Sequence, residues 1–568
     1  MRKLADTCER IAGTTKKLEK TALVAAYLQS CQPDEAAAAA IFLSGRPFPL
    51  WEDATLQVGG SLLWRIVAEL SGKSDADLSL TYRRHGDLGS VAGEVLPQKS
   101  VSRDISIQEV QERFRRIAAA RGTAAKTLEV RELLLRSTPL EAKYMIKIIT
   151  GDLRIGLKES LVEDAIAKAY GASLSEVQRA NMLLGDIGET VKFAASGKLA
   201  EARMRLFHPL GFMLASPAQS AEEALSYFPD ALVEDKYDGI RAQAHCSGDK
   251  VKIFSRTRDD ITVSFPELPQ ALSGFSDDVI FDGEIVAWSS SGSNSQEDGR
   301  ALPFTALQQR LGRKKVSEQM LREVPVAYII FDVLYKQDVL LLDRPLMERG
   351  EILNALLASP RKAGLPMLGH PQSRLGFETA EEPAVTKILR APVWRASSPD
   401  ELDKLFDSAQ ARGNEGLMIK APLSTYTPGR RGKSWLKLKR ELATLDVVIT
   451  AAEYGHGKRI KVLSDYTFAV RDGERLVNIG KAYSGLTDVE IAEMTRWFLE
   501  HTVEDQGMRL LVQPTMVIEV AFNNMMLSDR HNSGYALRFP RIVRLRPDKL
   551  PEEIDTLERV KRIYEQQK

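Results

Sequence analysis

A lysine at the mouth of a tight turn, directly after a buried strand, is held in place and partly desolvated, and there it can act as a nucleophile. Such a lysine sits in Glu234-Asp235-Lys236-Tyr237-Asp238-Gly239-Ile240-Arg241, after the apolar run Ala231-Leu232-Val233. Asp238-Gly239 makes the turn, because glycine takes positive φ without strain. An isolated Lys-x-Asp-Gly is more often a plain surface turn, so the partners downstream decide. In the apolar stretch Val279–Trp288, Asp282 and Glu284 lie two apart and share a face. Carboxylates there need cations or donors, and a structural salt bridge or a metal-phosphate site would serve equally. Glu415 stands at the entrance of another apolar strand, Gly416–Lys420. Lys437 and Lys439 share one face while Leu436 and Leu438 take the other. Two adjacent ammonium groups repel unless an anion lies between them, and a phosphate is the economical one. Arg538, Arg541 and Arg544 crowd guanidinium groups into a short stretch suited to bidentate phosphate contacts.

The elements that must position these residues fall into blocks. A chain of 568 residues is too long for one core and predicts two to four domains. Its net charge of +1 places any nucleic-acid surface locally. The scattered Cys8, Cys31 and Cys246 exclude a four-cysteine zinc site and a disulfide framework, so a reducing, cytoplasmic compartment is expected. Neither a membrane span nor a signal peptide is expected. Residues 1 to about 206 read as helical, with apolar periodicity through Lys20–Ser30, Asp34–Leu43, Gln108–Ala120 and Leu128–Arg136. Two glycine-bearing segments interrupt them, His85–Gly89 and Thr150–Glu159. The second leads into a helix, Leu161–Tyr170, so its N–H groups, Arg154 and Lys158 could meet a phosphate. A glycine-capped helix connection explains it equally well. For the basic cluster Arg113, Arg115, Arg116 and Arg121, a solvated helix face is the default reading.

His208–Pro217 marks the first boundary. Strands are predicted at Val251–Arg256, Val279–Trp288 and Val326–Val333, a surface loop at Ser289–Gly299, and helices at Leu346–Leu357 and Pro399–Arg412. Beyond Leu442 short strands (Asp446–Ala451, Tyr466–Val470, Met516–Ala521) suit a small β-barrel, with a last helix at Pro551–Glu565.

In this order the pieces resemble the collinear motifs of the covalent nucleotidyltransferases, the superfamily of DNA ligases, RNA ligases and capping enzymes. Lys236–Arg241 resembles motif I and Ser255-Arg256-Thr257-Arg258 motif Ia, although an Asn-Gly pair is more usual after that arginine. Phe281-Asp282-Gly283-Glu284 resembles motif III and Phe331-Asp332 motif IIIa. Glu415–Lys420, Trp435–Lys439 and Arg538–Arg544 resemble motifs IV, V and VI. Gly151–Glu159 is similar to a signature of the helical DNA-binding domain of ATP-dependent DNA ligases, and His208–Pro217 to the start of their adenylation domain. Gly364–Val393 fits no feature of the family and reads as an insertion.

The resemblance implies a multi-domain chain: an all-α domain at 1–209, an α+β, ATP-grasp-like adenylation domain at 210–441, and a β-barrel OB-fold at 442–568. It implies an ATP-dependent DNA ligase that seals nicked double-stranded DNA as a monomer, with ATP and Mg²⁺ (or Mn²⁺). Lys236 would carry AMP. A free lysine, with pKa about 10.4, is neutral in about one molecule in a few thousand at pH 7, so Lys437, Lys439 and the metal are expected to lower it. Glu284 and Glu415 would hold the metal. Glu234 would read the adenine amine, Phe331 would stack on the ring, and Arg241 and Arg256 would hold the ribose and its surroundings. Arg538 and Arg541 would orient pyrophosphate. Arg113, Arg116, Arg154 and Lys158 would meet the DNA backbone. Two alternatives remain at this stage: a nucleotidyltransferase for RNA ends, against which Gly151–Glu159 argues, and a non-catalytic nucleic-acid-binding protein, which would not need the catalytic side chains.

Overall fold

The computed structural model describes residues 1–568 except 53, 99–104, 291–298, 303, 311–315, 359–386, 440–443, 457–458 and 567–568. Most of the expected 289–299 loop and of the 364–393 insertion therefore lies outside the described residues.

The N-terminal block is helical from Arg2–Ala12 to Ile187–Ala195. In Pro33–Leu43 every residue from Ala36 to Leu43 is buried, because small side chains let neighbouring helices approach on all sides. Thr138 with Glu141, and Ser173 with Glu176, close capping boxes on Pro139–Ile149 and Leu174–Leu184. The two glycine-bearing segments meet. Arg154 donates to the Gly86 carbonyl at 2.5 Å and Lys20 to the Ile155 carbonyl at 2.5 Å. Asp87 caps Leu88–Val95 and pairs with Lys147 at 2.9 Å. Thr150–Glu159 is thus a clasp between helices, and Arg154 is engaged inside it. The basic cluster keeps Arg115, Arg116 and Arg121 exposed, as a solvated helix face would. Arg113 pairs with Glu129 and Glu132, and Arg116 with Glu129, so these arginines fasten Ile107–Ala119 to Thr123–Leu135. Lys158 remains exposed.

The middle block carries β1 (Leu214–Ala218), β2 (Ala231–Lys236), β3 (Ile240–Ser247), β4 (Lys250–Ser255), β5 (Val279–Ser290), β6 (Gly299–Ala301), β7 (Val326–Lys336), β8 (Val339–Leu340), β9 (Lys387–Arg390), β10 (Trp394–Ala396), β11 (Gly416–Lys420) and β12 (Arg431–Leu438). One sheet runs β1-β12-β11-β2-β10 and the other β4-β3-β5-β7-β8, with β6 on β5 and β9 on β7. Because β2 belongs to the first sheet and β3 to the second, the Lys236–Gly239 turn lies where the sheets meet. Helices Leu346–Ala358 and Pro399–Ala411 match the apolar periodicity.

The C-terminal block is β-rich: β13 (Thr444–Tyr454), β14 (Leu463–Asp472), β15 (Arg475–Ala482), β16 (Thr502–Asp505), β17 (Arg509–Val512), β18 (Val517–Ala521), β19 (Asn524–Leu527), β20 (Tyr535–Arg538) and β21 (Arg541–Leu545). Along one edge β13 pairs first with β18 and then with β17, which bends the sheet upon itself. Helix Asp488–Glu500 was not anticipated. The last helix begins only at Leu557, after a 3₁₀ turn at Pro551–Glu553, because Asp555 between them bonds Arg471 and Asp446 of β14 and β13.

Candidate active site

β2 delivers Lys236 opposite Gly416 of β11, and the Glu415 N–H donates to the Lys236 carbonyl at 2.8 Å. Two glycines allow this closeness. A Cβ on Gly239 would stand 2.3 Å from the Ile285 carbonyl oxygen, and one on Gly416 would stand 2.3 Å from that of Leu438. Gly416 also holds φ +146°, which a side chain resists. The Lys236 ammonium lies 2.5 Å from the Glu415 carboxylate, and Lys439 grips the same carboxylate. Burial would raise the Glu415 pKa, but the Lys236 and Lys439 charges outweigh it and hold it at about 2. Lys437 lines the same pocket. Burial, then the neighbouring Lys439 and Lys236, pull its pKa below the usual lysine range.

The pocket measures about 490 Å³. On its carboxylate side burial pushes Glu284 up to about 7, against the pull of Lys236 and Arg241. Burial and then Glu415 raise Asp238, while Arg538 opposes them. Asp282 takes the salt-bridge alternative. The Arg241 guanidinium spans its two oxygens at 3.1 and 2.7 Å, and the Tyr426 hydroxyl donates to it at 2.7 Å. Arg241 also donates to the Met213 carbonyl at 2.6 Å and lies over Phe331 and Trp435. It braces the pocket wall as well as lining it.

At the apolar end Glu234 is buried against Lys420, 2.5 Å away, and Lys420 lies 4.6 Å above Phe331 and 4.3 Å above Trp435. Asp332, next to Phe331, accepts two bonds of 2.8 Å from the buried Arg349. That ion pair fixes the strand carrying the aromatic ring.

A pocket with a lysine at a carboxylate, further lysines around it and an aromatic shelf fits nucleotide chemistry. Comparison with known proteins decides the family. The profile described as "ATP dependent DNA ligase domain" matches residues 212–439, "DNA ligase N terminus" matches 1–167, and "ATP dependent DNA ligase C terminal region" matches 459–549. The chain belongs to the ATP-dependent DNA ligases.

A "Probable DNA ligase" of Koribacter versatilis is 60% identical over 100% of this chain and 97% of its own. A "DNA ligase" of Methanothrix thermoacetophila is 36% identical over 100% and 98%. The solved structure named Pmar-Lig_PreS3 has a TM-score of 0.57 at 16% identity, covering 96% of this chain and 99% of its own, and shares the fold.

Within this ligase, Lys236, Glu234, Arg241, Glu284, Phe331, Glu415, Lys437, Lys439 and Arg256 all line the one pocket. Arg538 reaches its edge from β20, 3.6 Å from Asp238 and 4.3 Å above the Phe304 ring. Arg541 is exposed on β21 and does not line the pocket. Sequence reasoning passed over Lys420, Trp435 and Phe304 as site residues. Lys420 had a signal: a lysine ending an otherwise apolar strand must find an anion when that strand is buried. Phe304 had none, because only the fold brings it to the turn. Among the described residues no group of three or more His, Cys, Asp or Glu forms a metal cage. No helix among them is long and apolar enough to cross a membrane.

Proposed function

We propose that this enzyme seals nicks in duplex DNA through an AMP carried on Lys236. The Lys236 ammonium first gives up a proton to solvent; its neutral nitrogen then attacks the α-phosphorus of ATP, an N–P bond forms and the P–O bond to pyrophosphate breaks. AMP then passes to the 5′-phosphate at the nick, and the 3′-hydroxyl attacks that phosphate and expels AMP. The observation that carries the reading is the Lys236 ammonium in contact with Glu415, beside Lys437 and Lys439 in one pocket. The clustered cations suit the charge that develops on the transferring phosphate.

In this reading Glu234 meets the adenine amine, Phe331 stacks on the ring, Arg241 holds the pocket wall and Arg256 the ribose side. Arg538, already beside Asp238, and Arg541 orient pyrophosphate as the C-terminal domain closes. Glu284 and Glu415 would hold a divalent cation. Their fit rests on Glu284, a carboxylate in the pocket whose charge burial disfavours, and hard oxygen donors suit Mg²⁺ or Mn²⁺. Bound there, the cation would offset charge on the α-phosphate. The matched regions support domain boundaries near 209/210 and 441/442 and, through the N-terminal match, DNA ends as the substrate. We read the working form as a monomer in the cytoplasm.

The test is incubation with α-labelled ATP, GTP or NAD and Mg²⁺, followed by mapping of the labelled residue. ATP alone should label, and at Lys236. Lys236→Ala should abolish labelling and still close some nicks that already carry AMP. Label retained at another residue in that variant overturns the assignment.

A further inference from the structure

The turn Ser255–Asp259, which carries Arg256 into the pocket, is strained. Arg258 has φ +70°, the left-handed region that a side chain resists. The turn is closed locally, with Arg258 N–H donating to the Ser255 carbonyl at 2.8 Å and Ser255 N–H to that of Asp259 at 2.9 Å. Local bonds would form as well with glycine at this position, so they do not account for an arginine. The side chain of Arg258 does. It leaves the middle domain and donates to Glu159 of the helical domain at 3.2 Å, with both side chains about three-quarters covered. Glu159 is held in turn by the Asn181 amide at 3.2 Å, and it begins helix Glu159–Tyr170. Glu159, Arg256 and Arg258 all line a cavity of about 680 Å³ between the two domains. Arg256 lines both this cavity and the nucleotide pocket.

We infer that Glu159 and Arg258 form an interdomain clasp that keeps the Ser255–Asp259 turn in its left-handed form and so aims Arg256 into the nucleotide pocket. Both are positioning residues: docking of the helical domain is read at the nucleotide through one strained turn. Residues in contact across such a turn are energetically coupled. The inference rests on the reading of Arg256 as a nucleotide contact.

The test is the single-turnover rate of self-adenylation of the full chain over a range of ATP concentrations, with KM the half-saturating ATP concentration and kcat the limiting rate. Glu159→Gln and Arg258→Ala should each raise KM for ATP about fivefold with kcat little changed, the size of coupling found between contacting side chains. Arg258→Gly should recover most of that loss, because glycine takes the turn without a clasp. In the Arg258→Gly background, Glu159→Gln should add nothing. A Glu159→Gln penalty of the same size in both backgrounds would mean that Glu159 serves only its own helix, and the clasp is overturned. Arg256→Ala is the control. If it leaves KM unchanged, the reading of Arg256 fails, and the clasp is judged by hydrogen exchange of the Ser255, Arg258 and Asp259 amides. Glu159→Gln must speed that exchange; unchanged protection overturns the clasp whatever Arg256 does.

Discussion

Glu284 carries its charge at a cost. Burial holds its folded pKa at about 7, against an ordinary value of 4.5. The folded state therefore binds this proton more tightly than the unfolded state. Stability from this group is greatest below pH 4.5 and falls as pH rises from 4.5 to 7. Glu284→Gln removes the titration. In chelator, it should stabilise the protein at pH 8 by at most roughly 3 kcal/mol, less because solvent reaches the pocket, and by almost nothing near pH 4. Thermal midpoints at both pH values check this; an equal difference at the two would rule it out. Glu415 runs the other way. Its folded pKa of about 2 gives stability that is present above 4.5 and is lost as pH falls towards 2. At this scale much of the site was legible. Lys236, Glu415, Lys437 and Lys439 stood out because charges on half-buried strands demand partners. The separate fates of Asp282 and Glu284 were not legible, since the choice depends on Arg241 arriving from the neighbouring strand β3.

β20 and β21 divide the arginines of the C-terminal domain. Arg538 ends β20, only 12% exposed, and reaches Asp238, whereas Arg541 begins β21 opposite Ala521. If both guide pyrophosphate, Arg538→Ala should slow self-adenylation tenfold or more, about 1.4 kcal/mol at the transition state, and spare closure of a pre-adenylated nick. Arg541→Ala should follow the same pattern, its side chain being recruited when ATP is bound. Comparable losses in both assays would instead assign either arginine to folding or to a direct DNA contact. Strand starts were legible where periodicity was strong, as in β5 and β7, but both run past their expected ends at Trp288 and Val333, to Ser290 and Lys336. Helix Asp488–Glu500 was missed although its capping box, Thr487 with Glu490, stands in the sequence. The continuous helix predicted at Pro551–Glu565 failed for a reason outside local pattern: Asp446 and Arg471 recruit Asp555 for their backbone bonds.

Across the whole molecule, side-chain pairs join the helical and middle domains. Glu159 meets Arg258, Arg179 meets Asp343, and the Arg430 guanidinium donates to Gln178 at 2.7 Å. The three-block order was legible in composition and pattern, but these contacts were not, because each joins residues far apart in sequence. A chain starting at Leu210 keeps every residue of the nucleotide pocket and should still form lysyl-AMP, with the raised KM that loss of Glu159 implies. It loses the helical block, and with it the surface assigned to the DNA backbone around the nick. Arg113 is mostly covered between Glu129 and Glu132, so the backbone contacts fall to exposed groups such as Arg116, Arg154 and Lys158. Each phosphate neutralised by a lysine or arginine steepens the log–log salt dependence of duplex binding by about 0.9. The shortened enzyme should therefore join nicks poorly, and its remaining nick affinity should fall less steeply with salt than that of the full chain. Nick affinity measured at several salt concentrations for both proteins decides it. If affinity and slope are the same, residues 1–209 do not hold DNA, and the helical block must act through the Glu159 contact alone.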